Sequence, residues 1–345
     1  MSLADPPTPS IHPGGYAELA TEIRSLGLLR PRPVFYAVML AVDLAALAAT
    51  VLAVLLLHDT WWAVLLAPVL AVVSTQLGFF GHDAGHRQIT RRRGPSELLG
   101  LLSGNLLNGL SWSWWIEKHN AHHARPNDLD TDPDVRAGAL VFDARQADGR
   151  DGLAAWTTRH QAWLFFPLLT LEAVNLHVSS LRALTGAGLR HRAAEAVLLT
   201  VHFTAYAVLV VEALTWQQGI VFVVVHQAVF GVYLGCSFAP GHKGMPVLSP
   251  EQARDPLLRQ VLTSRNVRGG ILVDYALGGL NYQIEHHLFP SMPRPNLPHA
   301  QRVVRRFCDQ RGVSYTETSA WSSYAAVLRH LDAVGSRLRE QRHTA

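Results

Sequence analysis

The sequence predicts an all-α integral membrane protein, with four transmembrane helices in two hairpins, interfacial helices and a cytoplasmic helical cap. Three observations point there. Hydrophobic residues make up 49% of the 345-residue chain and charged ones only 16%, against roughly 25% charged in a soluble domain. Four apolar runs are each long enough to cross a ~30 Å hydrocarbon core as a helix. Basic residues flank one end of each run and are missing from the short connections at the other. The composition also excludes a disordered chain, which would be polar and charge-rich. Two cysteines, Cys236 and Cys308, cannot build a disulfide framework or a four-thiolate metal site. The net charge of +4 is almost all arginine, with lysine only at Lys118 and Lys243. Beside apolar runs, that balance reads as positive membrane flanks rather than a nucleic-acid surface.

Residues 1–34 are expected as a cytoplasmic N-terminal segment and 35–345 as one domain. The first ten residues are Pro-rich and polar, without the apolar run and cleavage site of a secretory signal. The first span covers 35–57 and the second 61–80, joined tightly by His58, Asp59 and Thr60. A second pair covers 196–214 and 217–238, joined by Thr215 and Trp216. The opposite ends carry Arg24, Arg30 and Arg32, then Arg87 and Arg91 to Arg93, then Arg190 and Arg192, then Lys243. By the positive-inside rule those ends and both termini face the cytoplasm; the expected location is the plasma membrane of a bacterium. Trp61, Trp62 and Trp216 fit an aromatic belt on the other side. Segments at about 94–112 and 163–184 read as interfacial. The second carries Glu172, Asn175, His177 and Arg182, which are expensive to bury in lipid. A cytoplasmic cap is expected over 243–345, with an amphipathic helix around 324–339.

Histidine is the anomaly, with 18 residues. Three clusters stand out: His82-Asp-Ala-Gly-His86, His119-Asn-Ala-His122-His123, and Gln283-Ile-Glu-His286-His287. On a helix, positions i, i+3 and i+4 share a face, so His82 and His86 can reach one metal ion, as can His119 with His122 or His123, and the third cluster repeats that spacing with Gln283 in the first place. A neutral imidazole is a good ligand for iron, zinc or copper. A lone pair at this spacing is often an accident. Here the expected topology puts all three clusters on one side of the membrane, which scattered histidines would not do.

This arrangement resembles the membrane fatty acid desaturases over about 35–297, on three histidine boxes at one face of four spans. The run Gly278-Gly-Leu-Asn-Tyr-Gln-Ile-Glu-His-His-Leu-Phe-Pro290 is similar to the front-end, linoleoyl-CoA desaturase-like branch. The resemblance implies an O2-dependent acyl desaturase that introduces a double bond at a histidine-ligated di-iron centre. Its cofactor is then two iron ions, with O2 as co-substrate. Carried over residue by residue, His82, His86, His119, His122, His123, His286 and His287 would be ligands. The segment Phe238-Ala-Pro-Gly-His242-Lys-Gly-Met245 resembles the one that supplies a further ligand, here His242. Its usual form has Asn before the His, where this chain has Gly241. The implied substrate is a fatty acyl group on CoA, an acyl carrier or a phospholipid, within membrane lipid.

Around these boxes, Asp83, Asp130, Asp132, Asp134, Asp274 and Glu285 are candidates to orient imidazole N–H groups; as solvated carboxylates or caps they would do nothing of the kind. Gln283 and His226 are candidate ligands or partners of ligands, and Trp112, Trp114 and Trp115 either line an acyl channel or anchor at the interface. His12-Pro-Gly-Gly15 matches the haem-ligand motif of cytochrome b5 domains, but with 11 residues before it the expected reading is a turn. Electrons are then expected from an external donor, such as a ferredoxin with its NAD(P)H reductase. The same histidine-box superfamily contains hydroxylases, ketolases and acetylenases, which use the same ligands. A histidine-lined metal transporter is the remote alternative, and would place its ligands near mid-bilayer.

Overall fold

The computed structural model describes residues 15–186 and 188–340. Of the cytochrome-like motif, His12 to Gly14 lie outside the described residues. α1 (Gly15–Ser25) precedes α2 (Pro33–Leu56), which opens on a proline whose φ suits the first helical turn. A short α3 (Trp61–Val64) leads into α4 (Ala67–Gly85), and α5 (Arg93–Leu101) runs into a π-helical turn, Leu102–Leu107. Next come α6 (Trp112–Ala124), α7 (Ala144–Ala147), α8 (Gly152–Arg159), α9 (Gln161–Leu169) and α10 (Glu172–Thr185). Two long helices follow, α11 (Arg192–Ala213) and α12 (Trp216–His242). The rest comprises α13 (Pro256–Leu262), α14 (Ile271–Ala276), α15 (Gln283–Leu288), α16 (Leu297–Gln310) and α17 (Ala320–Glu340). A two-residue strand β1 (Asn266–Val267) pairs in parallel with β2 (Glu317–Thr318), Asn266 opposite Glu317.

Among the described residues, four helical stretches are each long and apolar enough to cross a membrane: Pro33–Leu56, Trp61–Gly85, Arg192–Ala213 and Trp216–His242. The second and fourth overrun their expected ends, by which the apolar runs stop at Phe80 and Phe238. Polar residues extend these helices because protein rather than lipid surrounds them: His82, Asp83 and His242 are all buried. The segment 94–112 is not one helix. It breaks at Gly109, whose φ is +66°, and α6 restarts under Ser111, whose hydroxyl accepts from the Trp114 N–H. The segment 163–184 is also two helices, α9 and α10, bent by 68°.

The region after α12 packs a core together with α1. Leu19 and Ile23 of α1, Leu257 of α13, Ile284 and Leu288 of α15, and Val304 of α16 share one buried cluster. Ile284 and Leu288 lie four residues apart, on the face of α15 turned to that core. Gln283, His286 and His287 therefore lie on the other face.

Candidate metal centre

Four helix segments deliver the histidines. α4 carries His82, and His86 is its C-cap; the last two turns of α6 carry His119, His122 and His123. His242 is the last residue of α12, and α15 supplies His286 and His287. They form two groups: His82, His86, His119 and His286, and His122, His242 and His287, with ligand atoms within 4.8 Å of one another in each. His123 stands between, its ring 4.6 Å from that of His86 and 4.1 Å from that of His287. All eight rings meet although three separate stretches of chain and one isolated residue contribute them.

Neighbouring groups turn the rings inward. His122 Nδ1 donates to the buried Asp132 carboxylate at 2.9 Å, and His82 Nδ1 to Asp83 at 3.1 Å. His242 Nδ1 donates to the Thr263 carbonyl at 3.0 Å, and His287 Nδ1 to Gln260 Oε1 at 3.1 Å. A carboxylate, carbonyl or amide oxygen accepts only, so each bond fixes the tautomer and leaves Nε2 with its lone pair toward the group. Burial, and then the neighbouring imidazoles, holds His86, His119, His123, His286 and His287 well below the usual histidine pKa. Neutral rings with free lone pairs are what a metal needs.

The donor set fits a metal. His242 Nε2 lies 2.9 Å from His287 Nε2 and 3.3 Å from His122 Nε2, and His86 Nε2 lies 2.8 Å from His119 Nε2. Both Nδ1 protons of His242 and His287 are committed elsewhere, so their two Nε2 lone pairs face each other. His82 Nε2 and His286 Nε2 are buried without any hydrogen-bond partner. A cation shared by each group resolves both features.

The other candidates divide. Gln283 is inside the site, its Nε2 donating to His242 Nε2 at 2.8 Å. Asp83 and Asp132 hold imidazoles as described, and Asp83 also pairs with Arg294 at 2.7 Å. Burial would raise the Asp132 carboxyl, but the hydrogen bond that it accepts from His122 brings it below its ordinary value. Asp134 lies 3.6 Å from His122. Glu285 corrects the expectation: it accepts from Asn266 and Tyr315, not from an imidazole, and burial pushes its pKa up to about 7. Asp274 accepts from Asn281 and Tyr282, and Asp130 is exposed. The structure places His226 away from both groups, against the Tyr206 hydroxyl at 2.9 Å. Trp115 stacks on His119, with ring centroids 4.5 Å apart, and Trp112 is buried. Both line a cavity beside His82, with Phe79, Leu176, Leu234 and Phe238. That burial separates Trp112 from an interfacial anchor.

Sequence reasoning missed Gln260, Thr263 and Arg294, which hold His287, His242 and Asp83. None has a spacing pattern to betray it, because each approaches from a distant part of the chain. Glu195 was also missed. Fully buried at the start of α11, it accepts from Ser111 Oγ (2.6 Å), the Ser113 N–H (3.0 Å) and Asn105 Nδ2 (3.1 Å). It thereby ties down the first turn of the helix that carries the second box.

Comparison with known proteins agrees with this geometry. The sequence profile described as fatty acid desaturase matches residues 59–319. A "Delta(8)-fatty-acid desaturase 2" of Arabidopsis thaliana is 30% identical over 94% of this chain and 75% of its own length. An "Acyl-lipid (9-3)-desaturase" of Physcomitrium patens is 31% identical over 92% of this chain and 62% of its own. The "Delta(5) fatty acid desaturase fat-4" of Caenorhabditis elegans is 30% identical over 87% and 69%. These organisms are eukaryotes, so the expected bacterial setting gains no support from them.

Proposed function

The chain belongs to the fatty acid desaturase family and is an acyl desaturase; from that premise we propose that its two histidine groups hold two iron ions and that O2 is its oxidant. The observation that carries the reading is the pairing of a four-histidine and a three-histidine group, bridged by His123, at one end of the apolar spans. When bound, such iron supplies the strong oxidant that breaking an unactivated C–H bond requires.

The chain's own residues do the rest. Asp83, Asp132, Gln260 and the Thr263 carbonyl hold the rings in one tautomer and orientation. Phe79, Trp112, Trp115 and Phe238 give the acyl chain an apolar, water-excluding slot beside His82. The overall reaction removes two hydrogens from adjacent carbons and reduces O2 to two waters, so two further electrons and two protons come from a reductant. A ferredoxin with its NAD(P)H reductase is the donor class we propose. The arginine flanks support a site and termini that face the cytoplasm.

The test combines metal analysis with product analysis. Purified protein should carry iron near two per chain and should form a new double bond only when O2 and reduced ferredoxin are both present. Zinc in place of iron overturns the proposal. A hydroxylated or acetylenic product with full iron would instead assign the site to those sister activities.

A further inference from the structure

We propose that α14 dips into the bilayer, its outer face covered by lipid acyl chains of the leaflet on the metal side. Ile271 is 88% exposed and Leu272 83%, far more than a water-facing surface favours for adjacent aliphatic residues. The one charged residue of the helix, Asp274, is turned inward to Asn281 Nδ2 (2.8 Å) and the Tyr282 hydroxyl (3.2 Å).

Depth decides the occupant. The end of α14 is tied to two spans: Gln76 Nε2 donates to the Tyr275 carbonyl at 3.3 Å, and the Tyr233 hydroxyl to the Ala276 carbonyl at 2.8 Å. Gln76 lies fifteen residues along the second span from Trp61, and Tyr233 seventeen along the fourth from Trp216. At ~1.5 Å per residue these anchors stand about 22 and about 26 Å from the far-side tryptophans. Both distances fall inside a ~30 Å hydrocarbon core, and any tilt of the spans brings the anchors deeper. At that depth the last carbonyls of a short helix have no water to bind, so side-chain donors from the spans meet them.

Spans therefore back α14 on the inside, while Ile271 and Leu272 point away. The turn that follows places Gly278 against Phe79, whose ring lines the cavity beside His82. The lipid contact thus adjoins the acyl slot, a consequence that rests on the desaturase reading.

The test needs no turnover, so its failure is separate from failure of that reading. Full-length protein with Cys236→Ser and Cys308→Ser carries Ile271→Cys or Leu272→Cys, labelled with an environment-sensitive fluorophore, in phosphatidylcholine nanodiscs. Nitroxides on lipid acyl chains should quench these labels several-fold more than aqueous iodide does, and a Ser249→Cys label should show the reverse. Iodide quenching as strong as at Ser249 overturns the proposal. So does shielding from both quenchers with cross-links between copies, which would mean that a second chain covers the face. Wild-type protein provides an arm without substitutions: diazirine-bearing phosphatidylcholine should photolabel the peptide that contains Ile271 to Tyr275. Labelling of Val38 and Val42 in the first span without that peptide overturns the proposal equally.

Discussion

His242 and Gln283 meet at 2.8 Å, yet they differ in what they can offer a cation. An imidazole whose Nδ1 is committed to the Thr263 carbonyl keeps its Nε2 lone pair available for a cation. The Gln283 amide donates its N–H toward that same atom and is a weaker ligand. His242→Ala and His286→Ala should therefore lose both iron and product. Gln283→Ala should keep some of each, with a loss of about 10–100-fold, as is usual for groups that hold a ligand rather than serve as one. Iron analysis beside product assays on the three variants separates these roles. Full iron and near-normal activity in His242→Ala would remove it from the site. Gly241 explains its own departure from the usual Asn. A Cβ there would stand 2.8 Å from Gln283 Cγ, so the missing side chain is what lets Gln283 reach His242. Gly241→Asn should displace the flexible Gln283 side chain and reproduce the Gln283→Ala phenotype. Combining the two changes should then add nothing, measured as iron occupancy in the double variant.

Among elements, α6 shows how a remote group sets the site. Its three histidines occupy the last two turns, while its first turn is held by Glu195 from the next long helix. Glu195→Ala removes the acceptor for Ser111, Ser113 and Asn105 together. Each buried donor so stranded costs about 1–3 kcal/mol. Thermal unfolding in detergent should show the loss, and iron occupancy should fall although no ligand is touched. Unchanged melting and iron would show that the turn is held by other contacts. The helix spacing of this second box was legible in the sequence. Its anchor was not, since Glu195 reads as an ordinary charge before an apolar run.

At the scale of the whole molecule, the histidines come together at one end of the spans, as any shared centre requires. The arginine flanks carry our proposal that this end faces the cytoplasm. Cysteines placed at Thr60 and Thr215 should be labelled by impermeant reagent from outside, and those at Arg92 and Ser249 from the cytoplasm. Labelling of Ser249 from outside would invert the orientation and the supply route for electrons.

Spans and box histidines were readable because each is a local pattern: an apolar run, or rings three and four residues apart on one helix. A local rule needs no partner, so the chain states it outright. The limits of those patterns were not readable. α4 continues to Gly85 and α12 to His242 because protein surrounds their polar ends, and hydropathy cannot tell buried polarity from wet polarity. The division of seven histidines into groups of four and three, with His123 between them, arises only when α6 and α15 each present rings to both groups. For the same reason Glu285, one residue from a box, turns to Asn266 and Tyr315, while Gln260 and Arg294 from far along the chain hold His287 and Asp83. Nearness in space is decided by packing, and a carboxylate serves whichever donors the packing brings within reach.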